Sequence, residues 1–104
     1  MALGSVFKRS ILNIKSANHY GYNAQSIMLM EECAELIQAV SKHKRALANG
    51  KGIDEAVEKI TEEIADVELM LEQIKHLLRI SEDAIDDFKD YKVDRTMKRI
   101  ESEE

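Results

Sequence analysis

Two short phrases decide how this chain is read: Glu31-Glu32-Cys33-Ala34-Glu35-Leu36 and Glu62-Glu63-Ile64-Ala65-Asp66-Val67. Each sets carboxylates at i and i+3, Glu32/Glu35 and Glu63/Asp66, which on an α-helix lie on one face. Acidity alone carries no message in a chain with 20 Asp and Glu among 104 residues. The position of each carboxylate relative to its apolar neighbours does.

With Glu32 at zero and about 100° per residue, Leu29, Leu36, Val40 and Cys33 fall at about 40–100° to one side. Met28 and Ala39 fall within about 40° on the other. Glu32 therefore sits inside the apolar arc, and Glu35 lies at its edge beside Glu31, Gln38 and Lys42. The second phrase repeats the arrangement. Val67, Ile60, Leu71 and Ile64 flank Glu63 on one side, Met70 and Leu77 on the other, and Asp66 takes the edge.

A run of acids on a helix is ordinarily a solvated face. An acid among apolar residues is different, because an unpaired ionised carboxylate taken out of water costs several kcal/mol. Either such groups take up protons or a cation holds them. Four carboxylates on two helices make an all-oxygen donor set suited to Mg²⁺ or Mn²⁺ and poorly suited to Zn²⁺. No Glu-x-x-His occurs, which argues against a ferritin-like di-iron bundle.

The rest of the chain supplies the setting. A chain of 104 residues with no Pro or Trp and few aromatics, rich in helix formers, predicts a single all-α domain over 1–104. Helices are expected from about Ser5 to Asn18, Ala24 to Ala48 and Asp54 to Arg79, with a fourth capped by Ser81 and running through Arg99. Breaks are expected at 19–23, where Gly21 permits positive φ and Asn23 can cap, and at Asn49-Gly50-Lys51-Gly52. The tail Glu101-Ser102-Glu103-Glu104 reads as solvated and loose. The apolar arc of the third helix is too long for short partners from the same chain, so a four-helix bundle completed as a homodimer or a dimer of dimers is expected.

A net charge of −5 argues against a nucleic-acid backbone as partner. The lone Cys33, with neither a membrane-length apolar run nor a leader pattern, fits a cytoplasmic chain and no membrane partner. Cys33 reads as a core residue.

At the two acidic phrases the chain resembles the MazG-like all-α nucleoside triphosphate pyrophosphohydrolases. Their hallmark is Glu-Glu-x-x-Glu followed by Glu-x-x-Asp, matched here by Glu31-Glu32-x-x-Glu35 and, beyond residues 36–62, Glu63-x-x-Asp66. The resemblance implies Mg²⁺-dependent hydrolysis of a nucleoside or deoxynucleoside triphosphate to the monophosphate and pyrophosphate, in nucleotide housekeeping. It implies Glu32, Glu35, Glu63 and Asp66 as metal ligands, with the leading acids Glu31 and Glu62 as candidates for orienting or deprotonating water.

Lys92 and Arg95, on a stripe of the fourth helix with Ile85, Phe88 and Arg99, are candidates for triphosphate oxygens, Arg being suited to bidentate contact. The Asn that often accompanies such a segment in the family is absent, with Asp94 beside Arg95. Ahead of the first phrase, His19, Tyr20, Tyr22 and Gln25 are candidates for the base. An aromatic ring can stack on it, and Gln25 can read its edge. Packing of the tyrosines between helices is the plainer role. His43 and His76 fall on polar sectors with no role assigned. The alternatives are an all-α dUTPase or dCTPase, a catalytically idle helical interaction or regulatory module of the same fold, and a generic helical partner-binding protein.

Overall fold

The computed structural model describes residues 3–104, with side chains from residue 4 onward. The described chain is all-helical, with no strand. α1 spans Leu3–Asn49, α2 Ile53–Leu78 and α3 Glu82–Glu103.

α1 is two helical arms joined at one residue. Gly21 has φ 83° and ψ 173°, a conformation open essentially to glycine alone. The break expected over 19–23 is thus concentrated in Gly21. Helix resumes directly after it, so Asn23 lies within the second arm instead of capping it. The turn at 50–52 carries positive φ at Gly50 and Gly52. Gly52 opens α2 without a side-chain cap, and its carbonyl accepts from the Ala56 N–H at 3.1 Å.

α2 closes with Arg79 in the left-handed conformation, φ 57° and ψ 42°. The Ile80 N–H reaches back to the Lys75 carbonyl at 2.9 Å and the Arg79 N–H to His76 at 3.2 Å, the paired bonds of a Schellman ending. Ser81 then caps α3 as expected, its Oγ accepting from the Ala84 N–H at 3.1 Å.

The tail differs from the sequence reading. Helix continues to Glu103, supported by i,i+4 pairs between Lys98 and Asp94 (3.1 Å) and between Arg99 and Glu103 (4.0 Å).

The packing is uneven. α1 and α2 lie against each other, whereas α3 packs against neither. Lys75 on α2 and Glu82 on the first turn of α3 pair across the junction at 2.8 Å. The buried apolar residues are Ala17, Ala39 and Met70, and the buried polar ones Gln25, Glu63 and Gln73. Large apolar side chains stay open to solvent on every helix, among them Ile37, Met30, Phe88 and Val93. The accessible surface is 8277 Å², against about 6,000 Å² for a compact monomer of this mass. The radius of gyration is 17.4 Å, against about 13 Å for a compact chain of this length.

Candidate metal centre

The long α1–α2 contact carries two polar patches. Towards the turn at 50–52 lie the acids. Glu32 on α1 and Glu63 and Asp66 on α2 each bring one carboxylate oxygen to within 4.8 Å of the others. Glu63 is the most deeply buried large side chain of the described residues, 1% exposed. This is the residue that helical projection places at the centre of the apolar arc, and its inward direction follows from Ile60, Val67 and Met70 around it, whereas Ile64 at the far side of that arc is exposed. Asp66, one turn on, is half-buried at the edge, as is Glu32 opposite.

Two oxygens in this cluster, Oε2 of Glu32 and Oε2 of Glu63, are buried with no hydrogen-bond partner. Carboxylates only accept hydrogen bonds, so acids facing acids cannot satisfy one another while ionised. The electrostatics follow. Burial, and next the charge of Asp66, push the Glu32 carboxyl above the usual carboxylate range. Glu35, exposed at the rim, is pushed up chiefly by the charge of Glu63. The cluster thus holds more negative charge than its surroundings accommodate, and it must bind protons or a cation.

One cation is already there. The Lys59 ammonium lies 2.9 Å from Oε1 of Glu63 and 3.7 Å from Oε1 of Glu62. These carboxylates favour the charged ammonium and raise its pKa. Lys59 stands at i,i+4 to Glu63, a spacing visible in the sequence that does not by itself mark it as part of the cluster.

The other candidate residues are distributed as follows. Glu31 and Glu62 are exposed, Glu62 beside Lys59 and Glu31 outside the three-acid cluster. Lys92 and Arg95 lie on α3, which the chain does not fold onto α1 or α2, so a single copy does not pack them against the acids. Arg95 instead lies over the Tyr91 ring, 5.8 Å from its centroid. His19 is exposed and stands edge-to-face with Tyr20 at 4.7 Å. Cys33 is half-buried.

Gln25 belongs to the second polar patch. It is buried and donates from Nε2 to Oε1 of Gln73 at 2.8 Å. Gln73 in turn donates to Oδ1 of Asn13 at 2.7 Å, and Asn13 donates to Oε1 of Glu72 at 2.7 Å and to the Leu69 carbonyl at 2.9 Å. Ser10 donates to the other oxygen of Glu72 at 2.8 Å, and His76 meets Asn18 at 2.8 Å. The ladder fastens both arms of α1 to α2, which gives Gln25 and His76 structural partners that a helical projection does not show. Two open depressions of 620 and 650 Å³ lie along this end of α2, and neither is lined by the acid cluster.

The chain matches no known protein family, no curated protein and no solved structure. A functional reading therefore stands on the acid cluster and its chemistry.

Proposed function

We propose that the chain is a Mg²⁺-dependent nucleoside triphosphate pyrophosphohydrolase of the MazG-like all-α kind, with Mn²⁺ as an alternative ion. The observation that carries the reading is the pair of buried, unpartnered oxygens on Glu32 and Glu63, beside Asp66 and on facing helices. An all-oxygen donor set with unsatisfied buried acceptors fits a hard divalent ion. Glu32, Glu63 and Asp66 would hold it, with Glu35 at the rim. Bound Mg²⁺ supplies charge neutralisation for a polyphosphate leaving group and an acidified water.

The remaining roles belong to this chain's own side chains. Glu62 and Glu31, on the exposed side of each phrase, are the candidates for orienting or deprotonating water. Lys92 and Arg95 are the candidates for phosphate oxygens, with His19 and Gln25 near the base. Gln25 is the least free of these, since reading a base would mean giving up Gln73.

A second copy belongs to the proposal, as a homodimer or a dimer of dimers. It is supported by the roughly 2,000 Å² of surface beyond a compact monomer's share and by a third helix whose backbone comes close to neither of the other two. Docked on a partner, α3 would carry Lys92 and Arg95 to an acid cluster, which it does not do within one chain. No described helix is long and apolar enough to cross a membrane, in keeping with a cytoplasmic nucleotide-pool enzyme. The competing reading, a catalytically idle helical module, is favoured by one observation: Lys59 already neutralises part of Glu63.

A panel of the eight common NTPs and dNTPs with Mg²⁺ tests the proposal. Release of pyrophosphate and monophosphate is expected. Orthophosphate as the direct product would point to another phosphohydrolase class, and no turnover to the idle module.

A further inference from the structure

We propose that Lys59 is a resident counter-cation that competes with the divalent ion for the Glu63 carboxylate, so that loading the site is an exchange of ammonium for metal. The inference rests on the metal reading above and adds a residue to it.

Glu63 is shared between two demands. Its Oε1 is held by the Lys59 ammonium at 2.9 Å, while its Oε2 is buried and unpartnered. A buried carboxylate with no counter-charge strongly destabilises a fold, and Lys59 removes part of that cost at Glu63. It leaves the Glu32 oxygen unsatisfied, so the ammonium is an incomplete substitute for a cation placed among three acids. A divalent ion sharing Glu63 with an ammonium must displace it or bear its repulsion.

The two ends of the pair differ in freedom. Glu63 is 1% exposed and fixed by the α1–α2 contact, whereas the Lys59 side chain is 54% exposed on a flexible stem. Lys59 can therefore swing into water while Glu63 stays. Glu62, 3.7 Å away and largely exposed, offers the departing ammonium a second carboxylate at the rim. The exchange needs no movement of either helix.

Mn²⁺ binding followed by the electron paramagnetic resonance of free Mn²⁺, together with melting in metal-free buffer, tests this on the full chain. K59M is expected to melt lower than wild type without metal and to bind Mn²⁺ about tenfold more tightly, the scale of losing one neighbouring charge. K59R, whose planar fork grips a carboxylate more firmly, is expected to keep the metal-free melting point and bind Mn²⁺ a few-fold more weakly. K59R also keeps the test decisive should K59M not fold without metal. A merely structural lysine would shift melting without splitting the two affinities in opposite directions. Mn²⁺ binding to wild type that K59M leaves unchanged or weakens, or that K59R leaves unchanged or strengthens, overturns the exchange and spares the metal site. No Mn²⁺ bound by any of the three proteins overturns both.

Discussion

The two polar patches on the α1–α2 contact use the same helices and opposite chemistry. At the ladder, Gln25, Gln73 and Asn13 are amides, able to donate and accept, and each passes a hydrogen bond to the next until Glu72 ends the chain. At the acid cluster, Glu32, Glu63 and Asp66 can only accept while ionised, and two oxygens are left over. Both patches are costly to bury unless satisfied. The ladder is completed within the chain, whereas the cluster, even with Lys59 beside it, keeps two buried oxygens without a partner. The two patches thus differ in whether their donors and acceptors balance within the chain.

Substitutions that break this contrast should differ in kind as well as size. The largest effect is expected from Glu63→Gln or Asp66→Asn on turnover, a loss of at least about a hundredfold, since a metal centre contributes several kcal/mol to the transition state. Asp66→Asn should at the same time leave the metal-free fold as stable or slightly more so, because it removes a like charge facing Glu32. Steady-state rates and urea melts on the same protein measure both. Retained activity in either variant defeats the ligand assignment.

The ladder should respond the other way. Gln73→Ala removes two hydrogen bonds and strands Gln25 and Asn13, at about 2–4 kcal/mol of stability. Urea unfolding would show it, whereas a cost near zero would mean that water replaces the amide freely.

Next comes the junction between the arms. Gly21→Ala meets no atom within 4 Å of the added Cβ, so its cost is backbone strain alone, about 1–3 kcal/mol. Equal stability of this variant by the same assay would show that the arms can rejoin through another conformation.

The smallest effect distinguishes the patches by pH. Folding raises the pKa values of Glu32 and Glu35, so the folded state binds more protons than the unfolded one in the window above the ordinary carboxylate value. Their contribution makes metal-free stability fall as pH rises through that window. Glu82 opposes this on the acid side: Lys75 lowers its pKa, and its contribution is lost as pH falls through that lowered value. Melting curves across mildly acidic pH should show the loss on going up, reduced in Asp66→Asn. A wild-type profile that only rises with pH would contradict the acid cluster's share.

Much of this arrangement is legible in the residues. The period of Ile60, Val67 and Met70 turns Glu63 inward, glycines mark the bend and the turn, and Ser81 announces α3. Projection assigns residues to faces but not faces to partners. That is why the Gln25–Gln73–Asn13 ladder, spanning 48 to 60 positions of sequence, is not legible in the residues alone. For the same reason Lys92 and Arg95 share a stripe that points to a bundle, while the backbone of α3 comes close to neither α1 nor α2. Lys59 is hidden in a different way. Its i,i+4 partner reads as an ordinary surface pair until Glu63 is known to be buried. At 101–103 the helix carries an exposed Arg99–Glu103 pair along its axis, while the acidic composition of the tail points to a loose end.

The most direct test of the central claim, that Glu32, Glu63 and Asp66 hold a divalent ion, is thermal melting of wild type and Glu63→Gln across a Mg²⁺ titration. A ligand bound only by the folded state raises the midpoint with concentration. A rise in wild type that is absent from Glu63→Gln is predicted. No rise in wild type, or an equal rise in both proteins, would contradict the account.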